Sequence, residues 1–251
     1  MDCYKEFAHI YDELINKDIE YEKWANTILK ICEEQSLDKN DYLDLGCGTG
    51  NLTEQVVCKF DNTWAVDLSY EMLTEAENKM RNKGKKVKFI CQDITELNLN
   101  RKFDLITCCL DSTNYILDEI GVQKYFKCVF DHLKDKGIFI FDINSYYKLT
   151  QILGNNIYNY DDENVTYIWE NHLEDEIVDM YLTFFVKEGE VYRRFDEEHS
   201  EKAYKFEEIK LLLCESGFEI IRIMDNYEHK DIIDTTERIV YVVKKKSTKS
   251  L

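Results

Sequence analysis

The sequence predicts an α/β protein: a doubly wound, mostly parallel seven-stranded sheet with an antiparallel C-terminal hairpin and a small inserted antiparallel β lid. Three observations predict it. Between Asp41 and Asn144, short apolar runs alternate with helical patterns, as in a parallel sheet covered on both faces. A glycine-rich turn, G-x-G-x-G at Gly46, Gly48 and Gly50, follows the first of these runs. Beyond Ser145 the pattern changes to an apolar/polar alternation of period two, the mark of half-buried antiparallel strands. The division expected is a main domain over residues 1–145 and 201–251, with an N-terminal helical cap over 1–38, and a β-rich insert over 146–200.

Each element has a local reason. Phe7, Ile10, Tyr11 and Leu14 recur at helical spacing, and Trp24, Ile28 and Ile31 form one stripe of a second helix over Glu20 to Glu34. "YLDL" is a short strand ending at the glycine turn, and Asn51 to Phe60 suits a helix. "TWAVDLS" follows as a strand, with Ser69 placed to cap a helix that stops near Gly84. "VKFICQD" and "FDLITCCL" supply the third and fourth strands, a helix covers Glu119 to His132, and "GIFIFDIN" is the fifth strand. Past a short helix, "VTYIWENHL" and "EIVDMYLTFFVKEGEVYRRFDEEH" read as two or three antiparallel strands, with a hairpin turn at "EGE". A helix over Phe206–Ser216 stops at Gly217, and "FEIIRIMDNY" and "ERIVYVVKKK" pair at the sheet edge. The insert follows the fifth strand, so it is positioned to fold over the carboxyl ends of the strands, where ligands bind in this architecture.

Composition removes several classes of function. The formal net charge is −18, which repels the phosphate backbone of nucleic acids. The one basic run, Lys244–Lys246 with Lys249, reads as a solvated tail. Nine cysteines with no C-x-x-C pair argue against a zinc ribbon or a disulfide framework. There is no signal-peptide pattern at the N-terminus and no apolar run of membrane-spanning length, so the expectation is a soluble, cytoplasmic protein.

The glycine turn lacks the third glycine of the dinucleotide pattern G-x-G-x-x-G, since Asn51 stands there. "LDLGCGTG", with Asp44 before the turn, resembles motif I of the class I (Rossmann-like) S-adenosylmethionine-dependent methyltransferases. The chemistry fits that resemblance. This cofactor carries a sulfonium, an ammonium and a carboxylate but no phosphate, so acids near the turn suit it and would repel a pyrophosphate. Asp67, at the end of the second strand, is a forked acceptor for ribose hydroxyls. The resemblance further implies Asp93 against the adenine amino group, the Ile94 backbone at the ring edge and Met72 on the ring face. It places the Leu110 carbonyl opposite the methionine ammonium, and Cys47 and Leu68 within the same corner.

Within that family the layout is similar to the small-molecule branch, notably the amino-sugar N,N-dimethyltransferases and, more distantly, glycine N-methyltransferase. "YDEL" at Tyr11–Leu14, "EYEKW" at Glu20–Trp24, "LDSTNY" at Leu110–Tyr115 and "EEH" at Glu197–His199 carry this likeness, whereas "NSYY" after the fifth strand departs from it. The likeness implies that Tyr11, Tyr21 and Trp24 close over the cofactor, with Tyr11 beside the sulfonium. The proline-containing motifs of adenine-, glutamine- and cytosine-methylating enzymes are absent, because the chain has no proline.

Tyr115, Tyr11 and His199 are the candidate catalytic residues, His199 as a base, with Asn114, Tyr146, Tyr147 and Tyr192 nearby or farther out. Arg193 and Arg194 are candidate anion binders. Other readings stay open at this point. Asp111, Asp142 and Asn144 at strand ends could hold Mg²⁺ in a catechol-type O-methyltransferase, although no metal is expected in the favoured reading. The chain could bind the cofactor without transferring a methyl group. A nicotinamide enzyme is weaker, because Tyr241 and Lys245, spaced Y-x-x-x-K, fall in a terminal strand.

Overall fold

The computed structural model describes Asp12 and residues 19–246. The first expected helix, apart from Asp12, lies outside the described residues, and so does Tyr11. Helix α1 (Tyr21–Glu34) leads into β1 (Asp41–Leu45), followed by α2 (Asn51–Val56), β2 (Asn62–Asp67) and α3 (Tyr70–Asn82). Then come β3 (Lys88–Cys91), β4 (Phe103–Cys108), α4 (Glu119–His132) and β5 (Leu133–Asn144). The order of the seven-stranded sheet is β10-β11-β5-β4-β1-β2-β3, with β10 (Phe218–Asp225) and β11 (Arg238–Lys245) antiparallel to each other and β11 antiparallel to β5.

The near-continuous apolar strands pay off on both faces of this sheet. Leu43, Ile106, Phe139 and Tyr241 face α4 and α5 (Phe206–Glu215), where Phe126, Val129 and Leu213 are fully buried. Tyr42, Leu105, Ile140 and Val242 face the other way, onto Trp24, Ile28 and Ile31 of α1. Burying each such side chain contributes about 1.5–3 kcal/mol, so the stripe read from the sequence of α1 anchors it. Helix termini follow their local signals. The Ser69 side chain accepts from the Met72 N–H at the start of α3, and Gly84 turns left-handed just beyond its end.

The insert between β5 and α5 is a four-stranded antiparallel sheet in the order β6-β7-β8-β9, one strand more than the larger count expected. The extra strand, β6 (Ile157–Asp161), lies in a stretch rich in Asn and Asp, residues that disfavour strands. Its Tyr158 and Tyr160 nevertheless pair with Trp169 and Tyr167 of β7 (Val165–Glu174). The hairpin expected at "EGE" joins β8 (Ile177–Glu188) to β9 (Val191–Lys202), with Gly189 left-handed in the turn. No disulfide joins the described cysteines. Among the described residues no helix is long and apolar enough to cross a membrane.

Candidate functional site

Strands β1 to β4 run parallel, so their carboxyl ends share one edge of the sheet. Asp44 sits near the end of β1, Asp67 ends β2, and Asp93 lies just past β3. A cavity of about 800 Å³ opens among these three acids and the segments after β1 and β4. That volume is enough for a cofactor-sized molecule.

The turn after β1 is left-handed at all three glycines, with φ of +61° at Gly46, +51° at Gly48 and +77° at Gly50. Gly46 also has no room for a side chain: a Cβ there would lie 2.5 Å from Ser112 Oγ. The turn is bound directly to the neighbouring acid. The Gly48 N–H donates to Asp67 Oδ2 at 2.7 Å and the Ser69 N–H donates to Oδ1 at 2.9 Å. Each carboxylate oxygen has a second lone pair for a ligand hydroxyl. Burial raises the Asp67 carboxyl above its usual range, against these backbone bonds. Asp44 is 2% exposed, and burial pushes its carboxyl up to about 6 although the Thr53 and Thr107 hydroxyls donate to it at 2.5 and 2.7 Å.

On the far wall, Leu110 and Asp111 are both left-handed, at φ +61° and +53°. That conformation costs a non-glycine residue about 1–2 kcal/mol, so neighbours must enforce it. Asp142 does so: the Leu110 N–H donates to its Oδ2 at 2.9 Å and the Asp111 N–H to its Oδ1 at 2.8 Å. The Arg238 guanidinium completes the arrangement, donating to Asp142 Oδ1, to Asp111 Oδ1 at 2.7 Å and to Asn144 Oδ1 at 3.3 Å. The three side chains considered for Mg²⁺ are therefore gathered around a cation of the protein itself. Among the described residues no cluster of three or more His, Cys, Asp or Glu could hold a metal ion.

The inserted sheet reaches the same edge through β9. Asn114 fastens it there: its amide donates to the carbonyls of Asn144 at 3.1 Å and Lys202 at 2.9 Å. Alternate residues of β9, Glu197, His199 and Glu201, are buried at 6%, 7% and 3% exposure. The His199 ring lies edge-to-face with Tyr115, centroids 6.0 Å apart, and Tyr115 lines the cavity. Burial holds the His199 pKa down at about 4, outweighing the pull of Asp111, so the imidazole is neutral near pH 7. Burial, with the charge of Asp111, pushes the Glu201 carboxyl up to about 8, while the Asn144 amide donates to it at 2.8 Å.

Most of the residues singled out in the sequence meet at this cavity. Gly46, Cys47 and Gly48 line it beside Asp44 and Asp67, and Leu68, Met72, Asp93 and Ile94 form the next wall. Tyr21, Leu110 and Tyr115 line it as well. Asp93 uses one oxygen, Oδ1, to accept from the Thr95 N–H and hydroxyl, both at 2.7 Å. Gly50 is not a lining residue; it precedes α2 and packs against Ala76 and Met80. Trp24 does not reach the cavity either. It lies on the inward face of α1, 4% exposed, stacked on Tyr227 with centroids 4.5 Å apart and 5.3 Å from the Arg238 guanidinium. Arg193 and Arg194 stand near the β8–β9 hairpin turn, paired with Glu188 and Asp196 at 3.1 Å each. Tyr241 is fully buried in β11, remote from the glycine turn.

Three contributors were not read from the sequence as site residues. Asp12 accepts from Thr49 Oγ1 at 2.6 Å and Asn51 Nδ2 at 2.9 Å and pairs with Lys79 at 2.6 Å, tying the N-terminal segment to the glycine turn. Burial alone would raise its carboxyl, but these partners hold it below the usual range. Its signal was present, inside "YDEL". Arg238 and Tyr227 had none, because each acts through Asp142 far away in the chain; the Tyr227 hydroxyl donates to Asp142 Oδ2 at 2.7 Å.

Residues 43–137 match the model of a family described as a methyltransferase domain. The Bacillus subtilis (strain 168) protein YqeM, a candidate methyltransferase by its name, is 33% identical over 249 residues, 98% of each chain. An S-adenosylmethionine-dependent methyltransferase of known structure from Clostridium acetobutylicum ATCC 824 is 59% identical. It superposes with a TM-score of 0.93, covering 98% of this chain and all of its own. The sugar N-methyltransferase KedS8 from Streptoalloteichus sp ATCC 53650, 19% identical, shares the fold with a TM-score of 0.79 over 94% of this chain and 93% of its own.

Proposed function

The chain belongs to the class I S-adenosylmethionine-dependent methyltransferases, and from that premise we propose that it methylates a nitrogen or oxygen of a small molecule. The observation that carries the reading is the row of carboxylates, Asp44, Asp67 and Asp93, around one cavity at the glycine turn. This donor set fits the cofactor, offering acids to a cation and to hydroxyls and the apolar side chains of Leu68, Met72 and Ile94 to a base. Lys79, a cation beside the turn, is already committed to Asp12.

S-adenosylmethionine, when bound, supplies an electrophilic methyl group on a sulfonium. The protein's share is to hold the acceptor in line with that methyl and to keep water out. In this reading Asp67 accepts from the ribose hydroxyls, Asp93 and Ile94 meet the adenine edge, and Met72 covers its face. Asp44 and the Leu110 carbonyl stand at the cationic end. Tyr115, which lines the cavity, faces the acceptor, and the neutral His199 imidazole packed against its ring takes a hydrogen bond or a proton from it; Tyr11 is proposed for the same side from the sequence alone. The fold shared with a sugar N-methyltransferase supports a small acceptor bearing an amine or hydroxyl. Screening such compounds for release of S-adenosylhomocysteine tests this; a panel of amines, amino sugars and hydroxy compounds giving no release above background would count against it.

Two quantitative expectations follow from the electrostatics. His199→Gln keeps a hydrogen-bonding side chain but cannot take a proton. It is expected to lower kcat about ten- to hundredfold, with the affinity for S-adenosylmethionine unchanged, in steady-state assays paired with calorimetry. Unchanged kcat would remove His199 from the acceptor side.

The second concerns Asp44, whose folded pKa of about 6 lies above the ordinary 3.8. A cationic ligand favours the ionised form, so cofactor affinity is expected to be flat above pH 6 and to weaken about tenfold per unit below it. The sign for folding is opposite. The folded state binds the Asp44 proton more tightly than the unfolded state does, so this group's contribution to stability declines as pH rises from about 4 to about 6. Calorimetric titrations between pH 5 and 7.5 check the first expectation, and Asp44→Asn should flatten the profile.

A further inference from the structure

We propose that Arg238 is a positioning residue for the cofactor: with Asp142 it holds the Leu110–Asp111 turn in its left-handed form and thereby fixes the wall of the cavity opposite the glycine turn. This rests on the reading that the cavity takes S-adenosylmethionine. The turn joins β4 to the segment carrying Ser112 and Tyr115, and Leu110, Ser112 and Tyr115 all line the cavity. A shift of this turn moves the Leu110 carbonyl, and it also opens the tight contact between Ser112 and Gly46.

The turn does not hold itself. Two successive non-glycine residues at positive φ are unstable alone, and both of their N–H groups point to Asp142, which is fully buried. A buried carboxylate is tolerable only with its charge answered. Arg238, 6% exposed, answers it, and its second nitrogen reaches across to the Asp111 carboxylate. The planar fork therefore spans the carboxylate that sets the turn and the side chain of the turn itself. A lysine has the charge but not the two-pronged geometry.

The same guanidinium also reaches the acceptor side. Asn144, which accepts from Arg238, donates through its amide to Glu201 of β9 at 2.8 Å, and Lys148 Nζ donates to Asn144 Oδ1 at 3.0 Å. A hydrogen-bonded chain thus runs from the inserted sheet to the cofactor wall with Arg238 at its centre. Trp24, stacked on Tyr227, covers it from α1.

The test measures S-adenosylmethionine affinity by calorimetry, well below each protein's melting temperature, for wild type, Arg238→Lys, Arg238→Gln and Leu213→Ala. Leu213 is fully buried on α5 and does not line the cavity, so its truncation destabilises without touching the turn. Expected are a loss of affinity of about tenfold or more for Arg238→Gln, a smaller loss for Arg238→Lys, and wild-type affinity for Leu213→Ala despite its lowered melting temperature. Wild-type affinity in the folded Arg238 variants, or an equal loss in Leu213→Ala, would overturn the positioning role. Should Arg238→Gln fail to fold, Arg238→Lys decides on the same criterion. Absence of binding by the wild-type protein would instead overturn the cofactor reading, so the two failures are separable.

Discussion

Asp67→Ala is expected to weaken S-adenosylmethionine binding about a hundredfold. Two kinds of interaction go at once. The Gly48 and Ser69 N–H groups lose the carboxylate that accepts from them at 2.7 and 2.9 Å, so the glycine turn is no longer fixed to β2. The same change removes the proposed acceptor for the ribose hydroxyls. Hydrogen bonds to a charged group are worth about 1.5–3 kcal/mol each, and two of them correspond to a hundredfold or more in affinity. Asp67→Asn keeps the shape and one acceptor oxygen, so an intermediate loss is expected. Calorimetry reads both variants, and an affinity within about twofold of wild type for Asp67→Ala would remove the residue from the cofactor site.

Gly46→Ala is expected to have the second large effect, on stability and binding together. The new methyl group would sit 2.5 Å from Ser112 Oγ and 2.8 Å from Ser112 Cβ, too close for a side chain to yield by rotating its tip alone. The φ of +61° adds about 1–2 kcal/mol of strain that glycine does not feel. Either the glycine turn or the turn after β4 must move, and both form walls of the cavity. A loss of about 2–3 kcal/mol in urea unfolding and of about tenfold or more in cofactor affinity is expected. Gly48 is the contrast. A Cβ there meets nothing within 4 Å, so Gly48→Ala carries only the conformational penalty. Ser112→Gly in the Gly46→Ala background should restore part of the stability, because it removes the clash and leaves the strain. No recovery in that pair would show that the contact with Ser112 is not the cause.

The parallel sheet and the row of acids around the cavity were legible because their signals are local. Each strand is an apolar run closed by an acid or a glycine, and parallel pairing brings those ends to one edge. Asp44, Asp67 and Asp93 therefore fall together once the strands are found. The wall that β9 brings to the same edge was less legible. His199 could be named from the sequence, but its neutral state depends on burial among β8, β9 and the segment after β4, which no local pattern encodes. β6 lies among Asn and Asp residues that give no strand signal, while its pairing with β7 is a tertiary matter.

Trp24 and Asp142 carry the sharpest lesson. An aromatic residue on an amphipathic helix reads equally well as a lid over a ligand or as core, and the structure puts it on the core side, against Tyr227 and Arg238. Asp142 offers a metal oxygen at a strand end, the basis of the alternative Mg²⁺ reading, until β11 is laid beside β5. The antiparallel register then pairs Arg238 with Asn144 and brings its guanidinium to Asp142. Two residues far apart in the chain become one ion pair, and the meaning of the acid changes with its partner.

A crystal structure of the protein with S-adenosylmethionine would locate the cofactor. Expected are the ribose against Asp67, the adenine between Met72 and Asp93, and the methionine end beside Asp44 and the Leu110 carbonyl. Cofactor bound elsewhere, or bound in the cavity with its ribose turned away from Asp67, would contradict that placement.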